Sequence, residues 1–145
     1  MIRLATHSDA DTIASIGREF CESTANCHLG IPYNYEDCKS LASFIIDNGV
    51  AVLAGDYGIL LMLVSPYPFN KDYTVASEIA FFIKEEKRGG LSALKMIRLA
   101  EKRAIELGAN IVVMASIEGG SPPNIEKFYN NFGYNLTERA FAKII

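Results

Sequence analysis

Residues 74–107 constrain the fold more than any other stretch of the chain. Thr74 to Ile83 is rich in aromatic and β-branched side chains and reads as a strand. A polar turn follows, Lys84-Glu85-Glu86-Lys87-Arg88-Gly89-Gly90. Beyond it, Met96, Ile97, Ala100, Ala104 and Leu107 fall on one helical stripe, which Gly108 closes. Ile111 to Ala115 then reads as a buried strand, so this half of the chain alternates strand, helix and strand.

The flanking segments fit the same plan. Met1 to Ala5 reads as a short strand. Ser8 with Asp11 three residues later resembles a capping box with Asp in place of Glu, opening a helix with Ala10, Ile13, Ile16 and Phe20 on one side. Residues 21–33 are mixed and end in the loop signature Gly30-Ile31-Pro32. Cys38, Leu41, Phe44 and Ile45 suggest a second helix, stopped by Asn48-Gly49. Val50 to Ala54 and Ile59 to Val64 are apolar strands around Gly55-Asp56-Tyr57-Gly58, a hairpin, and Ser65-Pro66-Tyr67-Pro68 is expected to break the second. After the loop Gly119-Gly120-Ser121-Pro122-Pro123, Pro123 suits the first turn of a helix through Phe132, which Gly133 ends. Two short strands are expected to finish the chain. The order β-α-α-β-β-β-α-β-α-β-β argues an α+β sandwich: a mixed, mostly antiparallel sheet with helices on both faces. With 145 residues and neither linker nor repeat, residues 1–145 are expected to form a single domain.

Charge and cysteine usage narrow the function classes. A formal net charge of -3 supplies no global basic field, so neither nucleic acid nor an anionic membrane surface is expected as a partner. The longest apolar run, Ile59 to Val64, is far too short to span a bilayer, and the N-terminal residues read as neither a secretory signal nor a transit peptide. Cys21, Cys27 and Cys38 cannot pair completely and are expected to stay reduced, in a cytoplasmic protein. With His28 beside Cys27 they still lack C-x-x-C or paired-His spacing, so no metal site is expected.

The chemistry concentrates in the strand-turn-helix. The first turn of a helix leaves backbone N–H groups without partners, and with the helix dipole they suit a phosphate or diphosphate. Gly89 and Gly90 let the backbone approach an anion, and Arg88 can add charge-assisted bonds. The plainer alternative is a strand-to-helix turn with a solvated Lys-Arg pair. The stretch fits neither a P-loop nor the dinucleotide fingerprint.

Here the sequence resembles the GNAT superfamily of N-acetyltransferases, whose phosphate motif runs Arg or Gln, two residues, Gly, one residue, then Gly or Ala. Arg88 takes the first place, Gly89 and Gly90 the next two and Ala93 the last, with Leu91 where Gly is usual. The resemblance implies acetyl-CoA as cosubstrate. Arg88, Gly89, Gly90, Leu91, Ser92 and Ala93 would hold its diphosphate, and the strand at Phe82 and Ile83 would align the pantetheine arm. It continues at Phe128-Tyr129-Asn130-Asn131-Phe132-Gly133-Tyr134, similar to the family's late F-Y-x-x-x-G-F/Y segment. That match implies a role for Tyr129 in protonating the leaving thiolate, and for Asn124 in binding pantetheine. Taken alone, Tyr129 reads as a core tyrosine at the end of an amphipathic helix. The short, acidic chain also resembles GNAT proteins encoded by phages, and dimers are common in this family.

An amine must lose a proton before it can attack a thioester. Glu78 lies ten residues before Arg88 on an otherwise apolar strand, in the context Ala76-Ser77-Glu78-Ile79, similar to that of some family members' catalytic Glu. Burial would raise its pKa to a useful value; the alternative is a solvent-facing Glu at the strand's start. Tyr33, Tyr35, Tyr67, Phe69 and Tyr73 lie in loops where this fold receives its acceptor, a small-molecule amine or a peptide. The expected activity is N-acetylation by direct attack. The competing expectation is a non-catalytic CoA-binding or partner-binding module on the same fold, with an unrelated phosphate-binding α/β protein as a third.

Overall fold

A computed structural model describes residues 1–24 and 29–145. The readings of Cys27 and His28 lie outside the described residues. Along the chain run β1 (Ile2–Leu4), a 3-10 turn (His7–Asp9), α1 (Ala10–Ser23), α2 (Tyr35–Asn48), β2 (Val50–Ala54), β3 (Gly58–Tyr67) and β4 (Asn70–Ile83). A second 3-10 turn (Glu85–Lys87), α3 (Ser92–Glu106), β5 (Ile111–Val113) and α4 (Ile125–Asn131) complete the order. The strands lie in sequence order, β1 to β5. Every pairing is antiparallel except β4 with β5, which α3 connects as a parallel pair. This is the expected α+β layer arrangement.

Strict alternation along β2 and β3 builds two cores. Val50, Val52, Ala54, Leu60 and Met62 face Met96, Ile97, Ala100 and Ala104 of α3, together with Tyr129 of α4. Ala51, Leu53, Ile59 and Leu61 face Ile13, Ile16 and Phe20 of α1 and Ala42 and Ile45 of α2. β4 changes face part-way. Its register with β3 slips between Leu61 and Met62: Met62 lies opposite Glu78, whereas Leu61 lies opposite Ala80. Ile79 is therefore an extra residue, a β-bulge, and a one-residue slip turns the later side chains of the strand to the other face. Ala76 stays in the α3 core, while Ala80 and Phe82 join the α1–α2 core. Without the bulge they would share a face with Glu78.

Several local expectations need correction. The capping box at the first helix is Thr6 with Asp9, two residues earlier than Ser8 with Asp11. The reason is tertiary. Arg3, on β1, forks both guanidinium nitrogens onto Asp9 at 2.7 and 2.8 Å, and the Thr6 N–H donates to the same carboxylate at 2.8 Å. Asp11 instead accepts the Tyr35 hydroxyl at 2.7 Å and pairs with Lys39. Pro66 does not break β3, which continues to Tyr67. β2 ends at its partner Met62, so Pro66 sits where β3 has become an edge and a missing donor is tolerated. The strand expected over Ile111 to Ala115 stops at Val113, with Ile111 and Val113 half-exposed rather than buried. Pro123 precedes α4, whose cap is Asn124. The two final strands are absent: residues 132–145 carry no strand. Cys21 and Cys38 are free thiols. Among the described residues no helix is long and apolar enough to cross a membrane, and no group of three or more His, Cys, Asp or Glu could hold a metal ion.

Asp9 is buried, and its bonds to Arg3, then to Thr6, hold its pKa well below the usual carboxylate range. A depressed carboxylate contributes stability that is present above its unfolded value near 4 and is lost as pH falls through the folded value. Asp9→Asn is therefore expected to cost about 1–2 kcal/mol at neutral pH, measured by denaturant unfolding, with the deficit shrinking below about pH 4.

Candidate active site

β4 and β5 pair only from Val75–Ile111 to Ser77–Val113, although β4 continues along β3 to Ile83. Beyond Ser77 the two strands part, and side chains take over the hydrogen bonding. The Ala115 N–H donates to Oε2 of Glu78 at 2.7 Å, and the Phe81 N–H donates to the same carboxylate. From α4, the Tyr129 hydroxyl donates to the Ala115 carbonyl at 2.9 Å. Both polar groups of one backbone residue are thus taken, one by the expected base and one by the expected acid.

Their surroundings shift both groups. Desolvation pushes the Glu78 carboxyl up to about 7, against the two N–H donors that favour its charged form. Burial first, then the neighbouring Glu78 charge and Tyr134, push the Tyr129 phenol well above its ordinary value. Tyr129 therefore keeps its proton at physiological pH, while Glu78 exchanges its own near neutrality.

The other end of the same opening is the turn into α3. Gly89 adopts φ +85°, a left-handed conformation that favours glycine. Among the described residues, none of the N–H groups of Gly89 to Leu94 has a protein acceptor. Arg88 lies over the Phe82 ring at 5.7 Å and donates from Nε to the Ile83 carbonyl at 2.7 Å, leaving its two Nη nitrogens without an acceptor among the described residues. Tyr57, on the β2–β3 turn, reaches the Ser92 hydroxyl at 3.3 Å and accepts the Lys84 N–H on its carbonyl at 2.8 Å, bracing the turn from below.

A cleft of about 270 Å³ joins the two ends. It brings together Glu78, Phe82, Ile83, Arg88, Gly89, Gly90, Ser92, Ala93, Asn124 and Tyr129; Leu91 alone of the expected site residues does not line it, and its side chain is exposed. Such a cleft, with unpartnered N–H groups at one end and a carboxylate beside a phenol at the other, can hold an anion and move protons nearby.

The sequence matches no family model and no curated protein. Its structure is similar to many solved ones. An acetyltransferase of Trypanosoma brucei superposes with a TM-score of 0.72 at 14% identity, covering 100% of this chain and 99% of the other. A ribosomal-protein-alanine N-acetyltransferase of Brucella melitensis gives 0.67 at 14%, covering 100% and 99%. A predicted acetyltransferase of Clostridium acetobutylicum, solved with acetyl-CoA, gives 0.71 at 15%, covering 99% and 95%. The chain has the GNAT acetyltransferase fold.

Within this GNAT fold the aromatic residues expected to receive an acceptor lie elsewhere. Tyr33 donates to the Ala14 carbonyl at 2.5 Å and Tyr35 to Asp11, both between α1 and α2. Tyr67, Phe69 and Tyr73 sit at the β3–β4 tip, and the strand from Asn70 to Glu78 spans roughly 25 Å. None of the five lines the cleft. The sequence reading missed Ala115, Thr24 and Gly120, which do. Gly120 lies so close to α1 that a Cβ there would meet Thr24 Cγ2 at 2.7 Å and Ile117 Cγ2 at 2.9 Å. The adjacent glycines were the only local sign of that contact, and a plain loop explains them equally well.

Gly120→Ala is expected to destabilise the chain by about 1–2 kcal/mol through overpacking. Adding Thr24→Ser, which removes one of the two clashing methyls and keeps the hydroxyl, should recover part of the loss in thermal melts. Glu78 gives a second expectation. Because its folded pKa of about 7 exceeds the unfolded value near 4, wild-type stability is largest when it is protonated and falls as pH rises between the two. Glu78→Gln should therefore raise Tm relative to wild type more at pH 8 than at pH 5.

Proposed function

We propose that this chain is an acetyl-CoA-dependent N-acetyltransferase in which a primary amine attacks directly. The observation that carries the reading is the meeting of Glu78 and Tyr129 on Ala115, inside the cleft whose far end is the unpartnered N–H row of α3. Similarity of fold to acetyltransferases, one of them solved with acetyl-CoA, supports it.

Bound acetyl-CoA would supply an acetyl group activated as a thioester. The residues fit such a ligand: N–H groups of Gly89 to Leu94 and the Arg88 guanidinium for a diphosphate, the open edge of β4 at Phe82 and Ile83 for the arm, and Asn124 beside it. Glu78, ionising near neutrality, takes the proton that an ammonium must lose before it is nucleophilic. Tyr129, holding its proton firmly, is the donor for the thiolate that leaves. Most of the acceleration comes from holding amine and thioester in register.

The test is thiol release from acetyl-CoA with a panel of primary amines and peptides, followed against pH. Wild-type turnover should rise with pH and level off above about 7, where Glu78 is ionised. Glu78→Gln should lower turnover by about 100-fold and abolish that inflection, with coenzyme affinity unchanged. An identical pH profile in the variant would remove Glu78 from the role of base. One observation favours a second reading, a non-catalytic CoA-binding module: Leu91 replaces the usual glycine beside the N–H row and is exposed. CoA binding in thermal shift without thiol release from any amine would select that reading.

A further inference from the structure

The cleft passes through the gap between the parting strands and is walled on both faces of the sheet. On one face stand Phe81, Phe128 and Tyr129, which pack with the α3 core. On the other stand Phe20, Phe82 and Ile117, which pack with the α1–α2 core. The N–H row begins α3 and so belongs to the first face. A coenzyme seated on that row leaves the second wall to the acceptor.

That wall offers carbon. The Phe20 and Phe82 rings lie 6.0 Å apart, tilted by 56°, and Ile117 packs against the same core. Its two hydroxyls are engaged within the protein: Thr24 donates to the Phe20 carbonyl at 2.7 Å, and Ser121 accepts the Ile117 N–H at 2.8 Å. The Ile117 carbonyl accepts the N–H groups of Gly120 and Ser121 at 3.0 and 2.9 Å. Among the described lining residues the charged side chains are Glu78, Lys87 and Arg88, and both cations belong to the turn into α3. An ammonium therefore reaches one carboxylate, and whatever lies beyond its nitrogen meets hydrocarbon. A second charge there would be desolvated without a partner, whereas an apolar tail gains from burial.

We propose that the acceptor is a primary monoamine with a hydrocarbon tail, an alkylamine or arylalkylamine, whose tail lies on Phe20, Phe82 and Ile117 while its nitrogen meets Glu78. This acceptor class rests on the acetyl-transfer reading of the same site. The nitrogen bonds to the thioester carbon as the carbon–sulfur bond breaks. Of the two protons the ammonium gives up, one leaves through Glu78 to water, and the other replaces the proton that Tyr129 gives to sulfur. Selectivity comes from the wall, which accepts carbon and leaves any further charge unpaired.

Two pairs of amines that differ by a single charge provide the test, with binding read by calorimetry on the chain alone and with saturating CoA. Hexylamine is set against the diamine with a second amino group on its far carbon, and phenethylamine against phenylalanine. Each hydrocarbon-tailed amine should bind about tenfold more tightly than its counterpart. Ile117 is half-buried, so the wall can be altered there. Ile117→Asp, folded by circular dichroism, should reverse the first preference and favour the diamine by about tenfold. Ile117→Ala, the milder change, should weaken hexylamine about fivefold with coenzyme affinity unchanged. Equal or tighter binding of the diamine or of phenylalanine by the wild type, or no binding of either hydrocarbon-tailed amine, would overturn the acceptor class. Thiol release from acetyl-CoA separates the two claims. Hexylamine that binds without releasing thiol supports the pocket and overturns acetyl transfer, whereas faster release with the diamine supports transfer and overturns the class.

Discussion

Where β4 and β5 stop pairing, the sheet faces a constraint that shapes everything around it. Parting strands leave backbone N–H and C=O groups turned toward an interior with no ladder partner, at about 1–3 kcal/mol for each one left unmade. Here the backbone groups of Ala115 are satisfied by Glu78 from the strand and Tyr129 from the helix beyond. The cleft exists because the strands separate, and the separation is tolerable because these two side chains answer it. The same arrangement takes a carboxylate and a phenol out of water, which sets their protonation: the first labile near neutrality, the second firmly held.

The bulge at Ile79 makes that arrangement compatible with two cores. It leaves Glu78 on the α3–α4 side and returns Ala80 and Phe82 to the α1–α2 side within two residues. Phe82 then packs against Phe20 of α1 at 6.0 Å and carries the Arg88 guanidinium over its ring. The end of the cleft that carries the unpartnered N–H row is thereby positioned by the layer opposite to the helix that row begins. The contact of Gly120 with Thr24 closes the frame, tying the β5–α4 loop to the end of α1. Walls from both layers meet at one opening.

Much of this was legible along the chain. The strand-turn-helix of residues 74–107 could be read because its signals are local: β-branched and aromatic enrichment, two glycines, then one apolar stripe. Asn48-Gly49 stops α2, and Gly108 stops α3 with φ +87°, as punctuation does. Glu78 and Arg88 stood out as charged residues in apolar and glycine-rich contexts, Tyr129 only through the resemblance of its segment, and folding places all three on one cleft. The failures share a cause. Ser8 with Asp11 and Thr6 with Asp9 are equivalent as spacing, and Arg3 decides between them from another element. Pro66 looked like a break because edge and interior strands read alike until neighbours are known. The loop aromatics looked like a pocket, yet packing drew Tyr33 and Tyr35 against α1 and left the other three at a distant tip.

Sequence by itself determined the kinds of element and their order as far as α4, the layered class and the residues with chemistry to offer, because periodicity, turn residues and helix stops act over a few positions. Tertiary structure decided the register slip at Ile79, the joint hold of Glu78 and Tyr129 on Ala115, the approach of Gly120 to Thr24 and the bare edge of β5. Each of these depends on residues far apart in the chain arriving at one place, and their distances and desolvation come into being only when the layers close.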